Sequence, residues 1–129
     1  MTNETDLIFQ QLEKALQRLE EVVNLPISKH KIEIEATIQC FEFTIELFWK
    51  ALKKKLSDEF NTESFGPKQV LQYAYAKKLI DNEKHWLNML TDRNMTNHTY
   101  KEALALQIYQ NIKTHTPFLR QELEFCKTK

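Results

Sequence analysis

This chain is poor in the residues that make sharp turns: Gly66 is its one glycine, and Pro26, Pro67 and Pro117 are its three prolines in 129 residues. A β-sandwich or barrel reverses direction often and draws on Gly and Pro to do it, so their scarcity argues against a turn-rich all-β design and for long helices. Cysteine is almost absent. Cys40 and Cys126 are far apart and fall inside helical apolar patterns, which makes them small hydrophobes in a reducing compartment, not a disulfide or a metal pair. An excess of one charge is missing too, since eighteen basic residues balance eighteen acidic ones. The chain as a whole therefore lacks the positive footprint of a strong non-specific nucleic-acid binder, and Lys29-His30-Lys31 and Lys53-Lys54-Lys55 read as solvated helix ends or faces. No apolar run approaches the roughly 18 residues of a membrane span, and the opening MTNETDLIFQ has no basic region followed by an apolar one. A cytoplasmic protein without membrane contact is expected. Familiar catalytic signatures are lacking as well: there is no Gly-rich phosphate loop, Cys-x-x-Cys pair, His-Glu-x-x-His or Gly-x-Ser-x-Gly.

What the chain does have is apolar residues, 42% of the total, set at helical spacing. They suffice for one core without metal or disulfide support, so residues 1–129 are expected to form a single all-α domain. Leu7, Ile8, Leu12, Ala15, Leu19, Val22 and Val23 step by three and four and predict a first helix from about Asp6 to Val23. Pro26 interrupts the pattern, and Ser28 is placed to cap a second helix over roughly Lys29 to Leu56. That helix carries two apolar stripes, Ile34, Ile38, Phe41, Ile45, Phe48 and Leu52 on one side and Ala36, Cys40, Phe43, Leu47 and Ala51 on another. A helix apolar on two sides is central to its bundle or packs against a second chain, and a homodimer is expected. After the polar stretch Ser57 to Phe65, Gly66-Pro67 opens a third helix to about Leu79. Asp81 is then a plausible N-cap for a fourth, from about Asn82 to Asn94, with Trp86, Leu87, Met89 and Leu90 apolar. Thr99-Tyr100-Lys101-Glu102 has the form of a capping box, which would start the last helix at Thr99 and put Tyr100 in its first turn. Ala105, Ile108, Ile112, Leu119 and Leu123 continue the stripe, and Pro117 is expected to kink or break it.

Between the fourth and last helices lies Asp92-Arg93-Asn94-Met95-Thr96-Asn97-His98-Thr99-Tyr100, nine residues with little apolar content. A break there lets Arg93 and His98 turn toward one concave space, which a continuous helix would not allow. Arginine supplies a permanent forked charge suited to phosphate, and histidine moves a proton near neutral pH. The pair suits metal-independent cleavage of a phosphodiester by a ribose 2′-hydroxyl, with His98 handling the proton and Arg93 neutralising the transition state. The bland alternative has Arg93 paired with a carboxylate, His98 at a helix end and Tyr100 packing. Asp92, Asn94 and Asn97 are candidates to support the pair. His30, His85 and His115 are scattered in the sequence and are expected to face solvent.

Arg93, His98 and Tyr100 match the Arg-x4-His-x-Tyr motif of the HEPN superfamily. With Phe41-Glu42-Phe43-Thr44-Ile45-Glu46-Leu47-Phe48-Trp49-Lys50 and Trp86-Leu87-Asn88-Met89-Leu90-Thr91-Asp92-Arg93-Asn94, the whole chain resembles HepT-like proteins and, within them, nucleotidyltransferase substrate-binding proteins. The resemblance implies an up-and-down four-helix bundle with an additional short helix, dimerising so that the motifs of two subunits face a shared cleft. It implies a partner, a minimal nucleotidyltransferase that would bring Mg and ATP, with no cofactor in this chain. It also implies a two-component, toxin–antitoxin-like module in which Arg93 and His98 cleave RNA and Tyr100 accepts AMP from the partner. The alternative is a non-catalytic substrate-binding or regulatory subunit of that enzyme.

Overall fold

Residues 3–129 are described by the structure, a computed structural model. Five α-helices follow one another, α1 (Glu4–Val23), α2 (Ile32–Phe60), α3 (Pro67–Ala76), α4 (Glu83–Met95) and α5 (Glu102–Lys127), with a short 3-10 turn at Thr96–His98 between the last two. Among the described residues there is no strand. The all-α reading therefore holds. Helix α2 is the centre of the bundle, packed against α1, α3, α4 and α5. Its Phe41, Phe48 and Leu52 meet Leu12, Leu16 and Leu19 of α1, Trp86 of α4 and Tyr109 and Ile112 of α5 in one buried cluster. Phe48 and Trp86 meet edge to face with ring centres 4.6 Å apart, the arrangement that aligns a positive ring edge with a negative face.

Two polar clasps tie the frame. Glu122, almost fully buried, accepts from Trp86 Nε1 at 2.7 Å and from the Asp81 amide at 2.9 Å, fastening the entry to α4 onto α5. Arg120 of α5 donates to both oxygens of Glu20 and to Glu13 on α1. Each satisfies groups whose burial would otherwise be costly.

Several element ends differ from expectation, each for a local reason. Helix α2 starts at Ile32, because Ser28 does not cap it: the Ser28 amide and hydroxyl donate to the Glu33 carboxylate, and Lys31, in the left-handed region at φ 56°, occupies the cap position. The same helix runs on to Phe60, so Ser57 to Phe60 are helical, and ends where Asn61 turns left-handed. Helix α3 stops at Ala76, while Leu79 and Ile80 reach the core from the connection. Asn82, not Asp81, caps α4 by accepting the His85 amide at 3.1 Å. Pro117 neither breaks nor ends α5, which continues ten residues beyond it. It sits on the exposed side, where a carbonyl released from the helix ladder faces water and not the core.

The second stripe of α2 is largely absorbed by the bundle. Ala51 is buried and Ala36, Cys40 and Leu47 are partly covered, leaving Phe43 exposed at 55%. No helix among the described residues is long and apolar enough to cross a membrane.

Candidate functional site

The corner after α4 is built from short local bonds. Thr96 caps the helix: its amide donates to the Asp92 and Arg93 carbonyls, and its hydroxyl donates to the Arg93 carbonyl at 2.6 Å. Thr99 has helical backbone angles (φ −74°, ψ 0°), so it cannot take the extended conformation of an N-cap, and its hydroxyl donates to the Thr96 carbonyl at 3.0 Å. The expected capping box therefore does not form. Lys101 stands at the cap of α5, Glu102 turns outward to pair with Lys31 at 3.1 Å, and Tyr100 lies in the preceding turn instead of in the helix.

This corner distributes the three motif residues over two adjoining positions. Arg93 is held back against the bundle, its side chain 26% exposed, with Nη1 donating to Thr96 Oγ1 at 3.2 Å and lying 3.4 Å from Glu42 Oε2. Its Nε–H is buried and has no acceptor among the described residues. His98 and Tyr100 project outward, their rings edge to face with centres 6.1 Å apart, and Tyr100 is 77% exposed. Among the described residues no hydrogen bond joins Arg93 to His98. Asn94 and Asn97 are exposed beside them.

Beside the corner, α2 and the start of α5 diverge and leave a groove of about 650 Å³. Ile34, Ile38 and Ala105 form apolar parts of its wall, Glu35, Glu42 and Glu102 supply carboxylates beside Lys31 and His30, and Tyr100 is part of the lining. Glu42 is the residue that belongs to both features, since it lines the groove and meets Arg93. It was not singled out from the sequence as a site residue, because nothing local marks a glutamate on α2 as the partner of an arginine 51 positions later.

A second polar cluster lies where α4 meets α5. Asp92 Oδ2 accepts from His115 Nε2 at 2.7 Å and from Asn111 Nδ2 at 3.2 Å, and His115 Nδ1 is 3.1 Å from His85 Nε2. His85 stacks on Phe118 with ring centres 3.8 Å apart, and His115 on Phe41. His85 and His115 are thus neither scattered nor solvent-facing; His115 is only 6% exposed. Because Pro117 leaves α5 intact, His115 stays on the inward stripe between Ile112 and Leu119, and that register was the available signal. Burial lowers the His85 imidazole below its ordinary value, with neighbouring His115 adding to the effect. Asp92 belongs to this cluster and not to the Arg93 side, since successive helical residues point about 100° apart.

Among the described residues no group of three or more His, Cys, Asp or Glu is arranged to hold a metal ion. Both cysteines are screened. Burial pushes the Cys126 thiol up to about 11 and raises Cys40 as well.

Comparison with known proteins places these features in context. A family described as "Nucleotidyltransferase substrate binding protein like" matches residues 7–127. A Haemophilus influenzae protein named "Probable ribonuclease HepT" is 36% identical over 83 residues, 61% of this chain and 57% of that protein. The chain thus aligns with little more than half of that relative's length. A crystal structure from Thermus thermophilus superposes with a TM-score of 0.80 at 36% identity, covering 88% of this chain and 96% of the other. A Haemophilus influenzae structure, described as revealing the fold of a substrate binding domain of a nucleotidyltransferase, gives a TM-score of 0.69 at 28% identity over 98% and 99% of the two chains.

Proposed function

This chain belongs to the nucleotidyltransferase substrate-binding protein-like family, and from that premise we propose that it is the cytoplasmic helical partner of a minimal nucleotidyltransferase in a two-component, toxin–antitoxin-like module. Arg93 and His98 form its metal-independent endoribonuclease site, and Tyr100 is the residue its partner modifies. The observation that carries the reading is the corner itself: an arginine with an unused buried N–H, then a histidine and a highly exposed tyrosine in ring contact, five and seven residues on.

In the cleavage step the ribose 2′-oxygen bonds to phosphorus and the bond from phosphorus to the 5′-oxygen breaks, leaving a cyclic phosphate and a free 5′-hydroxyl. His98 exchanges the proton, and Arg93 stabilises the added negative charge on the phosphoryl oxygens. In the modification step the Tyr100 oxygen attacks the α-phosphorus of ATP, pyrophosphate leaves, and Mg²⁺ and the base that takes the phenol proton belong to the nucleotidyltransferase. A second copy of the chain completes the cleft. Phe43 is the member of the second α2 stripe that the bundle leaves exposed, and burying it against another copy would remove that surface from water.

The test is direct. Wild type, Arg93→Ala and His98→Ala are purified and given RNA in chelator; wild type is expected to cut it and both variants to lose that activity. An inert wild type, or variants as active as wild type, would overturn the nuclease assignment. With the nucleotidyltransferase, Mg²⁺ and ATP, mass spectrometry is expected to find AMP on Tyr100 and none on Tyr100→Phe. Modification at another residue overturns the acceptor assignment.

A second reading, a non-catalytic subunit that presents substrate to the nucleotidyltransferase, is favoured by one feature, charge. The chain carries no net positive charge, so it lacks the long-range field that steers RNA toward a site. An inert wild type that nevertheless raises the partner's turnover would establish this role.

A further inference from the structure

Arg93 cannot act in the nuclease reading unless something fixes where its guanidinium points, and an arginine side chain at a helix end has several rotamers of similar energy. Its anchors are few. Thr96 Oγ1 accepts from Nη1 at 3.2 Å while donating its own proton to the Arg93 carbonyl, and the one charged contact is the Glu42 carboxylate at 3.4 Å, an ion pair across α2 and α4 without a hydrogen bond. Both partners are mostly shielded, with side chains 26% and 31% exposed, so their attraction is screened less than that of a surface pair.

We propose that Glu42 is a positioning residue for Arg93: its charge, delivered from α2, holds the guanidinium with Nη1 turned inward and leaves Nη2, which has no partner among the described residues, for a phosphate. The inference rests on the nuclease reading for its activity readout. Its structural content, a guanidinium aligned by the Glu42 charge, stands apart from that reading. Glu42 touches neither substrate nor scissile bond. It acts through Arg93, and the carboxylate opposes the arriving phosphate at the same time. That double role sets a diagnostic: removing the charge disorders Arg93 while also removing a repulsion, so turnover and binding move differently.

The experiment compares Glu42→Gln, Glu42→Ala and Glu42→Asp in the full chain. Glu42→Gln, nearly isosteric, is expected to lower kcat for RNA by roughly tenfold to a hundredfold, the scale of a misplaced catalytic group, while KM stays level or falls. Glu42→Asp, which keeps the charge on a shorter arm, is expected to recover part of kcat. A merely structural role would instead lower thermal stability in all three and leave the kinetics of the folded fraction unchanged, which overturns the proposal. A rise in kcat in Glu42→Gln would also overturn it, since Glu42 would then be only a charge opposing the substrate. The RNA-free readout is the Nε–Hε resonance of Arg93 in NMR, identified by its loss in Arg93→Lys. It is expected to be sharp and slowly exchanging in wild type and broadened in Glu42→Gln. Should wild type cut no RNA, the nuclease reading fails and this resonance alone decides: unchanged in Glu42→Gln, it overturns the positioning role.

Discussion

Asp92 and Arg93 are consecutive residues, yet they serve two polar clusters of opposite character. On the Asp92 side the polar groups are paired: one carboxylate oxygen takes both His115 and Asn111, His115 reaches His85, and aromatic rings close over both imidazoles. On the Arg93 side the bonds run out, with an unpartnered Nε, a loose ion pair to Glu42, and His98 and Tyr100 facing outward. A buried polar group that is satisfied rigidifies the fold, whereas one left unsatisfied at a surface corner is where a ligand gains most. Residue type alone would rank the two clusters equally, since each joins a histidine to a charged neighbour. Saturation separates them.

The sharpest way to break this comparison is to remove one histidine from each cluster. His98→Ala is expected to lower RNA cleavage by about 10²–10⁴-fold, the usual scale of general acid–base help, with a thermal midpoint like that of wild type because the side chain is exposed. His115→Ala should do the reverse. It strips Asp92 of its shortest contact and leaves a gap under Phe41, so urea denaturation should show a loss of about 1–3 kcal/mol, the cost of an unsatisfied buried partner. A His98→Ala variant as unstable as His115→Ala would erase the distinction.

Two arginines sharpen the same contrast with a smaller effect. Arg120 is clasped by Glu20 and Glu13, and those hydrogen bonds raise its already high pKa. Glu13 itself is held below the ordinary carboxylate range: burial pushes it up, but the bonds from Lys127 and Arg120 outweigh that. Arg120→Ala is expected to cost about 1 kcal/mol by denaturant titration, less at high salt, because the network is partly solvated. Arg93→Ala should leave the midpoint almost unmoved while abolishing activity.

How much of this was legible beforehand follows from the range of each signal. The helical class and the places of α1, α3 and α4 could be read because apolar spacing is a local property, and Leu12 and Leu19 need no knowledge of what they face. The capping box at Thr99 misled because its letters fit while the backbone did not: Thr96 had already claimed the corner as a 3-10 turn. A break at Pro117 does not occur, since whether a proline breaks a helix depends on which side the freed carbonyl faces. The Arg93, His98 and Tyr100 motif was visible as spacing, but Glu42 and His115 enter only through tertiary contacts. Of these, His115 left a trace, its place on the stripe between Ile112 and Leu119, and Glu42 left none.

The smallest expected effect is a pH dependence confined to the saturated cluster. Burial, reinforced by His115, sets the His85 imidazole below its ordinary 6.5. The folded chain therefore holds fewer protons there than the unfolded chain does across that interval, and stability must rise with pH within it. Its contribution is complete above the unfolded value and is lost as pH falls through the lowered folded one. Urea midpoints taken from about pH 7.5 down to about pH 5 should fall, over the range where histidine titrates. Replacing His85 by Phe keeps a ring against Phe118 and removes the titrating group, so the fall should flatten even if the baseline drops through the bond lost to His115. An equal slope in His85→Phe would move the titration to another group. A similar flattening in His98→Ala would place it at the open corner, where no such burial exists.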